Sequence, residues 1–158
     1  MNKTNMNNIE IIEYEPQYQS SFERLNKAWL ETYFTIEPVD SYVLEQPEEA
    51  ILKPGGVIML ARYNGNIIGT VALKVMAPGE YEMTKMCVDE AYQGLGAGKK
   101  LCAAAIARAK EIKAKRLLLY TTSILEAAIG IYRSQGFVDI PLEPGVYQRA
   151  NVKMEYPL

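Results

Sequence analysis

Apolar and polar positions along this chain follow two periods, and the switches between them mark its elements. IEIIEYE (Ile9 to Glu15) alternates enough to predict a first strand, which Pro16 ends. QYQSSFERLNKAWLETYF then changes period. Phe22, Leu25, Ala28, Trp29 and Tyr33 recur at spacings of three and four, which predicts an amphipathic helix. EPVDSYVLEQPEEAIL carries two prolines among acids and predicts short helical turns, closed by Gly55 and Gly56. VIMLARYNGNIIGTVALKVM (Val57 to Met76) places Asn64-Gly65 between two β-prone runs, a strong hairpin signal. Tyr81 to Val88 follows the turn APGE as the third strand of a meander.

The second half reads strand, helix, strand. KKLCAAAIARAKEIKAK carries one apolar stripe of Leu101, Cys102, Ala105, Ile106, Ala109 and Ile112, with basic residues opposite. Arg116 to Thr122 is a short apolar run, as a buried strand requires. A strand-helix-strand order implies a right-handed crossover between parallel strands. ILEAAIGIYRSQGF predicts a shorter helix ending at Gly136. A strand from Phe137, the loop PLEPG and a last strand, ANVKMEY, complete the chain. The fold class is therefore α/β with a mixed sheet: an antiparallel N-terminal meander, a central parallel β-α-β crossover, and antiparallel C-terminal strands. With no internal repeat and no linker, residues 1–158 are expected to form one domain, residues 1–8 being a disordered lead.

Composition removes several functions. Net charge is −2, so no bulk basic field points to nucleic acid or to an anionic membrane. No apolar run is long enough to span a bilayer. The polar N-terminus lacks the apolar middle of a signal peptide, so a cytoplasmic location is expected. The two cysteines, Cys87 and Cys102, are read as reduced, buried thiols. The chain has no histidine, which excludes Ser-His and Cys-His nucleophiles and His-ligated zinc; no metal is expected.

The densest chemical signal is AYQGLGAGKKL (Ala91 to Leu101). A P-loop fails at two positions: its first glycine falls on Gln93 and its magnesium-binding hydroxyl on Lys100. A dinucleotide fingerprint fails at its third glycine, which falls on Lys99. What remains is Gln-Gly-x-Gly-x-Gly between a strand and a helix. Backbone N–H groups at Gly94, Gly96, Ala97 and Gly98 there suit an anion such as a pyrophosphate. Lys99 adds charge without a metal, and Gln93 either meets the phosphate or braces the loop. A tight strand-to-helix turn that binds nothing is the plainer alternative.

MCVDEAYQGLGAGKKL resembles the acetyl-CoA-binding signature of the GNAT N-acetyltransferase superfamily, and AAIGIYRSQGF resembles that family's second signature, Ala-x-x-x-Tyr followed by Gly-Phe. The resemblance runs from about Ile9 to Tyr156. It departs at Leu125, where many relatives carry an asparagine, and a leucine side chain has no hydrogen bond to offer pantetheine. The resemblance implies a V-shaped opening between Tyr81–Val88 and Arg116–Thr122 that takes acetyl-CoA as co-substrate. Main-chain groups of Met86, Cys87 and Val88 would pair with the pantetheine arm, the Val88 N–H serving the thioester carbonyl, and the loop of Gln93, Gly94, Leu95, Gly96, Ala97, Gly98 and Lys99 would hold the diphosphate. Glu82 is the implied general base, with Glu80 its nearest rival, and Tyr132 the implied partner of the leaving thiolate. Trp29, Tyr33 and Phe34 fall where the family's early helices border the acceptor, although core packing explains them equally well. The partner is an amine on a small molecule or peptide, and relatives often form homodimers. The acidic segment Glu37 to Glu49 either attracts a cationic amine or is a solvated loop. A non-catalytic acyl-CoA-binding module remains the alternative to an enzyme.

Overall fold

The computed structural model describes residues 8–143 and 149–158; the expected disordered lead and the end of the PLEPG loop lie largely outside them. In chain order the elements are β1 (Ile9–Glu13), α1 (Gln19–Tyr33), α2 (Pro38–Glu45), β2 (Val57–Tyr63), β3 (Asn66–Ala77), β4 (Glu80–Val88), α3 (Ala97–Glu111), β5 (Arg116–Thr121), α4 (Glu126–Gln135), β6 (Val138–Ile140) and β7 (Val152–Tyr156). The strands form one sheet in the order β1-β2-β3-β4-β5-β7-β6. Every neighbouring pair is antiparallel except β4 and β5. The predicted mixed topology is the one observed, and Asn64-Gly65 turns the hairpin with φ of 50° and 82°.

Period-two alternation divides the core between the two sheet faces. Met59 and Ala61 of β2 join Val71 and Leu73 of β3 beneath α3 and α4. Ile58 and Leu60 point the other way, with Ala72, against Phe22 and Leu30 of α1 and Leu44 of α2. The α3 stripe packs as predicted through Leu101, Cys102, Ala105, Ile106 and Ala109. Its expected last member, Ile112, is 38% exposed, because the helix stops at Glu111 and Ile112 is its C-cap.

In α1 the predicted stripe is displaced. Phe22 and Leu25 are buried, but Ala28 and Tyr33 are exposed and Trp29 is only half-buried. The remaining buried positions are Leu30 and, unexpectedly, Asn26. A buried amide needs partners. Asn26 Nδ2 donates to the Phe22 carbonyl at 2.9 Å and to Thr70 Oγ1 at 3.0 Å. The Thr70 hydroxyl donates to the Lys85 carbonyl at 2.7 Å, and Cys87 Sγ donates to Asn26 Oδ1 at 3.6 Å. This chain of bonds ties α1 through β3 to an irregularity in β4.

The irregularity is a bulge. Thr70 stands opposite Cys87 and Ala72 opposite Thr84, so two residues of β4, Lys85 and Met86, face a single residue of β3. Lys85 takes a left-handed φ of 56°, unusual for a residue with a Cβ. On its other edge β4 pairs with β5 only from Glu80 to Glu82. Beyond that, β4 stays with β3 to Val88, while β5 stays with β7 to Thr121. The two parallel strands therefore separate at Glu82.

Candidate active site

The gap between β4 and β5 opens into a cavity of about 870 Å³. Its floor is the unpaired edge of β4, including Met86, Cys87 and Val88. Its far wall is the Gln93–Lys99 loop with the first turn of α3, and α4 closes the side through Ile131 and Tyr132. Trp29, Tyr33 and Phe34 border the opposite end. Glu82, Tyr132, the strand and loop residues singled out for the cofactor, and the three aromatic residues thus line one space, whereas Glu80 and most of the acidic segment Glu37 to Glu49 do not.

The loop glycines have separate structural reasons. Gly94 and Gly96 have φ of 85° and 86°, a region that penalises any Cβ, and a side chain there would meet nothing within 4 Å. Conformation demands them, and the space beside them is open. Gly98 has an ordinary φ, but a Cβ on it would approach Ile131 Cδ1 to 3.2 Å, so it lets α3 and α4 pack closely. Gly96 is the N-cap of α3 and no side chain caps the helix, which leaves its first-turn amides available to an anion. Gln93 braces the loop, its Nε2 donating to the Val88 carbonyl at 3.2 Å. Lys99 stands exposed at the rim. Uncapped amides, small residues and a nearby ammonium fit the diphosphate of a CoA thioester.

Glu82 is 5% exposed and is the last β4 residue paired with β5, so it marks the apex of the gap. Lys74 is its cross-strand neighbour on β3. Glu80 is outside the cavity lining. Tyr132 is 8% exposed and packs edge-on against Phe137 at 6.0 Å. Its hydroxyl has no hydrogen-bond partner among the described residues. Burial raises its phenol well above the ordinary tyrosine value of 10.0. Cys87 and Cys102 are buried, which pushes their thiols up to about 11 and about 12. Cys87 is more than apolar filler, since it belongs to the Asn26–Thr70 network. Leu125 occupies the N-cap of α4 in the cavity wall and supplies no side-chain hydrogen bond.

Residues 13–137 match the family model for the acetyltransferase (GNAT) family. The chain belongs to that family. An N-acetyltransferase of Escherichia coli K12 named YjgM is 31% identical over 100 residues, which is 61% of this chain and 60% of that protein, so the match spans less than two thirds of the curated relative. The solved structure of a GNAT-family acetyltransferase from Staphylococcus aureus Mu50 superposes with a TM-score of 0.82 at 28% identity, covering 94% of this chain and 98% of that one. The PaiA N-acetyltransferase of Thermoplasma acidophilum, solved with coenzyme A, shares the GNAT fold at a TM-score of 0.74 and 17% identity, over 95% of this chain and 99% of that one.

Several residues of this GNAT cavity were not foreseen. Asp40 is 6% exposed, lines the acceptor end and accepts from Arg149 Nη2 at 2.8 and 2.9 Å. It also completes the capping box of α2, accepting from the Glu37 N–H at 2.8 Å. Arg149 lies over the Phe34 ring at 5.3 Å. Lys85 and Tyr120 line the same end. Nothing in the local pattern announces them, because distant segments meet there. The rest of the acidic segment is occupied locally: Glu45 pairs with Lys27 at 2.8 Å, Glu49 with Lys53 at 3.5 Å, and Glu48 accepts from Tyr14. Trp29, Tyr33 and Phe34 cluster with ring centroids 5.2 to 6.4 Å apart. Trp29 and Phe34 also pack on the core under α1, so the structural and the acceptor-wall readings both apply to them.

Proposed function

We propose that this chain is a single-domain, cytoplasmic N-acetyltransferase that moves an acetyl group from acetyl-CoA directly to a primary amine. The observation that carries this reading is the coincidence, in one cavity, of an uncapped helix N-terminus, an unpaired strand edge, a carboxylate at the apex and a buried phenol. Acetyl-CoA supplies the activated acyl group and a thiolate leaving group. The first-turn amides of α3 and Lys99 hold its diphosphate, and the edge of β4 at Met86 to Val88 binds the pantetheine arm as an added strand. The Val88 N–H donates to the carbonyl oxygen on which negative charge develops.

An alkyl ammonium has a pKa of about 10.4, so the acceptor must lose a proton before it attacks. Glu82 takes that proton, directly or through a water. Tyr132 has a different task. A thiol pKa is about 8.5, and a phenol raised above 10 transfers its proton to a thiolate only uphill. Tyr132 therefore stays protonated and donates a hydrogen bond to the departing sulfur, while solvent supplies the proton.

The test is CoASH release from acetyl-CoA over a panel of amines, with products identified by mass. Turnover that falls in Glu82→Gln supports the reading. Tight CoA binding without release above background on any amine overturns it in favour of a non-catalytic module.

A further inference from the structure

The acceptor end of the cavity carries four charged side chains: Asp40, Glu82, Lys85 and Arg149. Asp40 and Arg149 neutralise each other. Glu82 is the base in the reading above, on which this inference rests. Lys85 differs from the other three. Its ammonium has no ion pair or hydrogen bond among the described residues, although its main chain is fixed by the Thr70 bond at the bulge. The bulge takes Lys85 out of the strict alternation of β4 and puts it in the cavity wall, three residues from Glu82.

We propose that Lys85 is the anchor for a carboxylate carried by the acceptor, so that the substrate class is free amino acids and similar small amines with a carboxylate a few bonds from the nitrogen. The Lys85 side chain is half-buried; desolvation lowers its pKa, and the carboxylates of Asp40 and Glu82 oppose that shift without either forming a direct ion pair with it. An incoming carboxylate supplies the missing partner through a charge-assisted hydrogen bond. The long lysine stem lets that contact form beside Glu82, which orients the substrate amine toward the carboxylate base. A polyamine or other multiply cationic acceptor meets Lys85 as a like charge instead, and the acids of the α2 region are already paired. A peptide N-terminus presents an uncharged amide where the carboxylate belongs. The rings of Trp29, Tyr33 and Phe34 favour an apolar side chain on the acceptor.

The experiment compares three matched acceptors: phenylalanine, phenylalaninamide and phenethylamine. In the wild-type protein kcat/KM is expected to be at least tenfold higher for the free acid than for either analogue. In Lys85→Met that preference collapses toward unity through a rise in KM for the acid, and Lys85→Arg restores most of it. A readout independent of turnover is calorimetric binding of phenylalanine to the CoA-saturated protein, present in wild type and lost in Lys85→Met. Equal rates on acid and amide, or a preference that survives Lys85→Met, overturns the proposal. So does a 42 Da gain on Lys85 after incubation with acetyl-CoA alone, because the lysine is then an acyl acceptor and not an anchor. If no amine is acetylated but phenylalanine still binds in a Lys85-dependent way, the acetyl-transfer reading fails and the carboxylate site stands.

Discussion

The two ends of the cavity are built by different means. The CoA end is made of backbone: uncapped amides at α3, the open edge of β4, and glycines at positive φ. The acceptor end is made of side chains brought from α1, α2, β4 and the segment before β7, braced by an ion pair between Asp40 and Arg149. Backbone sites tolerate little variation, since the only residue that frees an amide at positive φ without strain is glycine. Side-chain sites can be rebuilt one residue at a time. One fold can therefore keep a common donor and change its acceptor.

The largest expected effect lies where the two ends meet. Glu82→Gln should reduce kcat/KM by about 10² to 10⁴, the usual worth of a positioned general base, with CoA binding left near the parent value. If CoA affinity falls in step with the rate, Glu82 belongs to the donor end and the division is wrong. Tyr132→Phe should reduce kcat by about tenfold, the worth of one hydrogen bond to a charged sulfur. Because the phenol pKa is raised, removing it should leave the pH profile unchanged through pH 9; a lost alkaline limb would show that Tyr132 transfers its proton.

A smaller effect sharpens the comparison from below. Asn26→Leu removes the amide that links α1 to Thr70 and Cys87. Denaturant unfolding should show a loss of about 1–3 kcal/mol from the uncompensated partners. Activity should fall only a few-fold, through KM for the acceptor, since Thr70 still holds the Lys85 carbonyl. An equal loss in CoA affinity would mean that the bulge serves the donor end as well.

The same division explains what the sequence disclosed. The order of elements, the hairpin at Asn64-Gly65 and the crossover were legible because period and glycine chemistry are local. The Gln93–Lys99 loop was legible because its geometry needs particular residues at particular offsets. That Gly98 serves helix packing against Ile131 was hidden, because a neighbour in space leaves no mark on a single sequence. The bulge at Lys85 was hidden too, since MTKMCV reads as an ordinary strand. Asn26 broke the helical stripe without warning, because its partner Thr70 lies 44 residues away. Asp40 and Arg149 are 109 residues apart and pair only through the fold.

The central claim is that the α3 N-terminus grips the diphosphate of CoA. Isothermal titration of CoA and of pantetheine into the wild-type protein and into Gly96→Val tests it directly. A β-branched residue at a φ of 86° costs about 1–3 kcal/mol or displaces the loop. The predicted result is CoA binding to the wild type at one equivalent, weakened by about tenfold to a hundredfold in Gly96→Val, with pantetheine weak in both and indifferent to the substitution. Equal CoA affinity in the two proteins, or pantetheine binding as tightly as CoA, would contradict the account.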